Sequence, residues 1–393
     1  MINLLFDELQ GLQPELVKLR RDFHMYPELS NQEERTPKIV ADFLEDLGLE
    51  VNRGVGGNGV VGYLKGDKPG KTIALRADFD ALPIQDQKDV SYKSQIEGVS
   101  HACGHDVHTA ALLGVAKVLS QHVNDLHGTI VFIHQFAEEV APGGAGKMIA
   151  DGCLEGVDAI YGSHVWSENN IGEILFIEGP AMAAADVFEI KIQGKGGHGA
   201  KPHEAIDPVV AACQLVTNMQ QIVSRNTDPL KSAVLTVGSI HSGEAPNVIP
   251  DDAKIEGTVR TFDSEIRELI NTRIQQMCTA LEINSNVKVE LNYTYGHHAL
   301  HNHITETREL KKSTEKLLPN NDIKDLDALM GAEDFSAYLK EVPGTFFFVG
   351  GRNEELNAIY QHHHPKFDVD ERAINIIGNV FLIALQNEQV INQ

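Results

Sequence analysis

The chain is poor in cysteine, in tryptophan and in positive charge. Its 393 residues include four cysteines and one tryptophan, and 33 Lys and Arg stand against 56 Asp and Glu, a formal net charge of −23. Cys103, Cys153, Cys213 and Cys278 form no CxxC pair and no dense framework, which excludes a disulfide-stapled scaffold and suits a reducing compartment. The shortage of basic residues argues against nucleic acid or an anionic membrane as partner, because long-range repulsion opposes both. Long apolar runs are missing too: residues 380–385 form one of the longest, far short of the roughly 20 needed to span a bilayer. The opening MINLLFDELQ carries Asp7 and Glu8 and no basic stretch leading into an apolar one, so it does not read as a secretory signal. Together these absences predict a cytoplasmic protein without a membrane partner. With 42% apolar and 23% charged residues, collagen, long coiled coil and wholesale disorder are also excluded, and at roughly 100 to 200 residues per domain the length predicts two or three domains.

What the chain has in excess is histidine, 18 residues in an acidic background, the raw material of a metal site. Hydrophobic periodicity places these histidines. Helices are expected with Pro14 in a first turn and over 38–47; strands over 60–64, 72–76 and 129–134; and a helix over 109–119. This alternation reads as α/β. After Gly179 the order becomes strand (188–192), helix (207–223), strand (233–240), strand (254–260), helix (265–281), strand (287–293). That is the split βαβ pattern of a ferredoxin-like α+β domain inserted into the first. A strand over 345–349 and a helix over 371–386 close the chain. The expected boundaries are 1–180 with 298–393, and 181–297 for the insertion.

The densest constellation is His101, Cys103, His105, Asp106 and His108, within eight residues. A thiolate and an imidazole two residues apart in a tight turn can point at one metal, with Asp106 or a backbone carbonyl holding the second ring nitrogen. A polar loop with helix-capping residues is the alternative, and Cys103 as a nucleophile paired with His105 is a rival. Glu138 and Glu139 follow a buried strand, so one can bind metal while the other holds a water. His164 follows the short apolar run 158–161. His362, His363 and His364 precede Pro365, and His198 lies in the glycine-rich GKGGHGAKPHEAIDP, a place for close backbone approach to a ligand. The remaining histidines, such as His122, His127, His241, His297, His301 and His303, are expected at the surface.

RADFDALP (76–83), HACGHDVH (101–108), Glu138–Glu139, SHVW (163–166), GKGGHGAKPHEAIDP, NVIP (247–250), GTVRTF (257–262), GAEDFS (331–336) and HHP (363–365) occur in one order. In this the chain resembles the amidohydrolase branch of the aminoacylase and carboxypeptidase metallopeptidases, over nearly its whole length. The resemblance implies a mixed-sheet catalytic domain and an inserted lid that makes a homodimer. It also implies two divalent ions, zinc or manganese first and cobalt or nickel as further options, held by Cys103, His105, Glu139, His164 and His363. Glu138 is then the general base, His198 a donor to the tetrahedral intermediate, and Asn247, Arg260 and Gly331 substrate contacts. His363 is chosen because it stands two before the proline, with His364 as runner-up. Where the wider family has a ligand histidine in an HxD motif, this chain has Arg76, so Asp78, like Asp106, is expected to sit behind the ligands. The implied reaction is cleavage of an N-acyl amino acid to a carboxylic acid and a free amino acid. Dipeptidase or carboxypeptidase action on the same site, and a metal-binding dimeric scaffold without catalysis, are the alternatives.

Overall fold

The run 129–134 is apolar on both faces of a strand, and a strand of that kind must be covered on both sides. In the computed structural model, which describes residues 1–392, it forms the centre of β4 (His127–Gln135). The chain divides into two units, one of Met1–Ala181, His301–Asp327 and Asp334–Gln393, the other of Met182–Leu300 and Ala328–Glu333.

The first unit holds an eight-stranded mixed sheet. Its first six strands in chain order are β1 (Glu50–Val55), β2 (Gly59–Lys65), β3 (Lys68–Asp78), β4, β5 (Ala159–Asn170) and β6 (Glu173–Phe176). They run β1-β2-β4-β3-β5, then Gly344–Arg352, β6 and Asp322–Asp325. The centre is parallel: β3 pairs in parallel with β4 and β5, and β5 with Gly344–Arg352. Helices α1 (Ile2–Gly11), α2 (Gln13–Met25), α3 (Arg35–Asp46) and α4 (His105–Ser120) pack apolar side chains into the same core, as does the C-terminal helix Ala373–Asn387. Pro14 stands in the first turn of α2, where its missing N–H costs nothing.

Two elements differ from the sequence reading in ways that matter for the site. The helix expected from Thr109 begins at His105, because Gly104 takes a left-handed conformation (φ 99°) and turns the chain directly into the helix. A Cβ on Gly104 would lie 2.3 Å from the Val165 side chain, so glycine is required on both counts. The strand read at 158–161 continues to Asn170, which places His164 inside a buried central strand instead of after it.

The second unit is a four-stranded antiparallel sheet in the order Ala233–His241, Asp252–Thr261, Ala184–Gln193, Lys288–Thr294. Its helices Pro208–Gln221 and Ser264–Ser285 pack Leu215, Ile270 and Ile274 against Ile190, Ile192 and Ile255. Asp207 caps the first helix by accepting from the Val209 and Val210 amides, and Asp263 caps the second in the same way.

Candidate metal centre

Cys103, His105, Glu138, Glu139, His164 and His363 all belong to the first unit and gather near the ends of β3 and β4, with His164 still inside β5; the ends of parallel strands are where α/β sheets collect ligands. Donor atoms of Cys103, His105 and Glu139 lie within 4.8 Å of one another. His105 Nδ1 faces Asp80 Oδ1 at 3.1 Å and so donates to it. Its Nε2 is buried without a hydrogen-bond partner among the described residues, 3.8 Å from both Asp78 Oδ2 and Glu139 Oε1 and 3.9 Å from Glu138 Oε2. His164 donates Nδ1–H to the Val165 carbonyl (2.7 Å), which turns the Nε2 lone pair toward Cys103 Sγ at 3.4 Å. Glu139 Oε1 is likewise buried and unpartnered, and Oε2 lies 3.4 Å from His363 Nε2.

The electrostatics ask for a cation. Burial and the carboxylates of Glu139, Glu138 and Asp78 push the Cys103 thiol well above its usual range, so the thiolate forms only beside a positive charge. Burial pulls the His105 imidazole down, but Asp78, Asp80 and Glu139 outweigh it and push it up to about 10. Positive charge at Nε2 is what the surroundings favour. His164, by contrast, is held well below its usual range by burial and then by His108 and His362, so it is a poor base for generating a free thiolate nucleophile. Thiolate sulfur, imidazole nitrogen and carboxylate oxygen, with their second ring nitrogens already tied, are the donor set of a divalent transition-metal site.

The three consecutive histidines separate cleanly. His363 reaches Glu139 from a left-handed backbone (φ 64°) and anchors its amide on the Ala102 carbonyl at 2.7 Å. His362 lies near Cys103 and His164, but both its nitrogens are engaged, by Ser167 Oγ at 3.0 Å and the Val165 carbonyl at 3.0 Å. His364 stacks on Tyr360, 4.5 Å between centroids.

One expectation is corrected. Asp106 does not hold a ring nitrogen of His105; its Oδ2 accepts from Arg20 Nε and His24 Nδ1, each at 2.7 Å. The cause is the early start of α4, which puts Asp106 in the first helical turn facing α2. Asp80 takes the role instead. Asp78 is bound to His108 Nδ1 (2.6 Å) and Arg76 (2.6 Å). Because His108 Nε2 accepts from the Val165 amide at 2.9 Å, both nitrogens of His108 are spent on support. His24 and His134 are fully buried, against the expectation that the remaining histidines lie at the surface. Asp80 had a legible signal: Arg76, Asp78 and Asp80 recur every second residue, so the chain's extended period puts them on one face of a buried strand end.

His198, Asn247, Arg260 and Gly331 belong to the second unit. His198 pairs with Val248 across a short two-stranded ladder, next to Asn247, whose carbonyl accepts from the Gly199 amide. His198 Nδ1 accepts from the Ala200 amide at 3.0 Å, so the proton sits on Nε2 and the exposed edge of the ring is a donor. Arg260 is half-buried on the strand Asp252–Thr261, and the Gly331 carbonyl accepts from the Ala183 amide.

Residues 74–386 match the model of peptidase family M20/M25/M40. The N-acetyl-L-cysteine deacetylase of Bacillus subtilis (strain 168) is 41% identical over 370 residues, 93% of this chain and 86% of the relative. Thermostable carboxypeptidase 1 of Saccharolobus solfataricus is 38% identical over 379 residues, 96% of each chain. The crystal structure of the Bacillus subtilis YXEP protein, described as a dinuclear metal binding peptidase from the M20 family, matches with a TM-score of 0.84 at 34% identity, covering 97% of this chain and 99% of that one. A family match over most of the chain, relatives of this identity and a buried donor set with adjacent glutamates lead to one statement: the chain belongs to peptidase family M20/M25/M40 and is a hydrolase of amide bonds.

Proposed function

We propose that the protein is a metal-dependent amidohydrolase that cleaves N-acyl amino acids. The observation that carries this reading is the buried, unpartnered His105 Nε2 facing Glu138 and Glu139, with Cys103 close by. Cys103, His105, Glu139, His164 and His363 hold two divalent ions, zinc or manganese by the mixed sulfur, nitrogen and oxygen set. When bound, the ions supply a water of lowered pKa and polarise the acyl carbonyl.

The chain's own residues do the rest. Glu138 takes the proton of the attacking water as its oxygen adds to the carbonyl carbon. The same carboxyl group then returns that proton to the amide nitrogen as the C–N bond breaks, leaving a carboxylate and an amine. His198, with its proton on Nε2, donates to the developing oxyanion, a contribution of about 2.7 to 4 kcal/mol where one such donor has been removed elsewhere. Asn247, Arg260 and Gly331 contact the amino-acid portion. The first unit is the catalytic domain and the second the lid, which pairs two chains in a cytoplasmic homodimer so that His198 serves the partner's site. A carboxypeptidase or dipeptidase reading keeps the same residues and differs only in the acyl group; the likeness to a thermostable carboxypeptidase favours including peptides in the test.

The test is hydrolysis of a panel of N-acetyl, N-benzoyl and dipeptide substrates after exhaustive chelation and add-back of single divalent ions. Activity should vanish and return with metal, and Glu138→Gln should keep bound metal while losing most turnover. Full activity after chelation, or in Glu138→Gln, sinks the reading.

A further inference from the structure

Glu33 lies more than 100 residues before the glutamate pair, in PELSNQEERT, a segment with no role in the mechanism above. It is 1% exposed, a rare state for a carboxylate without a cation beside it. One of its oxygens accepts from the Ala137 amide at 2.9 Å, the other from Asn58 Nδ2 at 3.0 Å. Ala137 directly precedes Glu138 and sits at φ 52°, in the left-handed region that residues with a Cβ seldom enter. The parallel ladder of β3 and β4 ends at Asp78 and Gln135, so among the described residues no strand partner remains to hold Ala137. Its carbonyl accepts from Gly144 at 3.1 Å, and two residues on, the Glu139 amide donates to Asp80 Oδ2 at 3.1 Å. The two amides flanking Glu138 are therefore each held by a buried carboxylate, Glu33 before it and Asp80 after it.

We propose that Glu33 is a positioning residue that keeps Ala137 left-handed and thereby aims the Glu138 carboxylate. Asp80 is tied to His105 as well, so it serves the ligand side of the site; Glu33 touches none of the proposed ligands in its hydrogen bonding and acts on the base alone. A chain that relaxes at Ala137 to negative φ rotates the peptide leading into Glu138, and a misplacement on the order of 1 Å at a reacting group costs roughly 100-fold in rate. The inference rests on Glu138 being the base.

The test combines kinetics with a spectroscopic signature in the full-length, metal-loaded protein. Glu33→Ala should lower kcat by about 10- to 100-fold, with KM and bound metal per chain as in the wild type. Glu33→Gln, whose amide oxygen still accepts, should recover most of the loss. In the Glu33→Ala background, Ala137→Gly should restore kcat several-fold, because glycine takes the left-handed conformation without a restraint; a carboxylate that only stabilises the fold gives no such rescue. In protein labelled with ¹⁵N-alanine, the Ala137 amide proton should move upfield in Glu33→Ala and stay near its wild-type position in Glu33→Gln. An amide signal unmoved in Glu33→Ala overturns the inference whether or not a substrate has been found, whereas a wild-type protein silent on every substrate overturns the functional reading. Bound metal falling in step with kcat, without rescue by Ala137→Gly, also overturns the inference.

Discussion

Asp80 holds His105 through one carboxylate oxygen, Oδ1 to Nδ1 at 3.1 Å, while its other oxygen accepts from the Glu139 amide and from Ser30. One buried side chain thus orients two proposed ligands that stand 34 residues apart. Removing a carboxylate in this relation to a ligating imidazole typically lowers metal affinity by about 10- to 100-fold. Asp80→Ala is expected to show that loss by competition against a chromophoric chelator, and Asp80→Asn a smaller one, since its carbonyl oxygen can still accept from His105. Unaltered affinity in Asp80→Ala would remove Asp80 from the site.

Cys103 is expected to act as a ligand and not as a nucleophile. Cys103→Ser should weaken metal binding without abolishing the fold, and peroxide should release metal and activity together, because oxidation removes the thiolate that would bind the metal. A covalent acyl-enzyme trapped by mass spectrometry, or full metal content in Cys103→Ser, would restore the thiol mechanism.

The three histidines before Pro365 give a prediction by contrast. His363→Ala should reduce bound metal per chain, measured by plasma emission after desalting, whereas His364→Ala, which loses its stack on Tyr360 and the Nδ1 that accepts from the Lys366 amide at 3.0 Å, should leave it unchanged. His362→Ala removes the contacts to Ser167 and the Val165 carbonyl, so its effect should fall on thermal stability more than on metal content. Equal metal loss in His362→Ala and His363→Ala would overturn the choice between them.

Arg20 and Asp106, the latter in the first turn of α4, form a fully buried pair. Burial opposes ionisation, but Arg20 and His24 hold the Asp106 carboxyl well below the usual range. A depressed carboxyl stabilises the fold above its unfolded value of about 3.9, and the contribution is lost as pH falls below that value toward the folded one. Arg20→Met leaves the buried Asp106 with His24 alone and takes from Asp368 and Glu371 the guanidinium they share, and should cost about 3–5 kcal/mol. Urea unfolding at pH 7 and pH 3 checks both: the variant should be much weaker than the wild type at pH 7, and the gap should narrow at pH 3. A gap independent of pH would assign the loss to packing alone.

How far the sequence reaches is visible in these residues. Cys103 and His105 stand out because the chain itself brings them within two positions, and the strand over 129–134 stands out because burial on both faces demands an unbroken apolar run. The partners that set them are hidden for the opposite reason. Arg20 meets Asp106 across 86 positions, and Glu33 meets Ala137 across 104; nothing local in α2 or in the PELSNQEERT segment announces either contact. The direction of Asp106 is hidden by the same limit, since it depends on where α4 begins, and that depends on one left-handed glycine packed against Val165.

The Arg76 guanidinium is wholly buried, spread over Asp78 (2.6 Å), Gln135 (2.9 Å) and Asp334 (3.0 Å). An arginine neither titrates nor dissociates in the working range. It is therefore a resident counter-charge, present before any ion arrives and after any ion leaves. Acids crowded at the strand ends do not depend on metal alone for neutralisation, so the chelated protein should keep its fold and accept metal again, a reversibility that a site built only of ligands and carboxylates would lack.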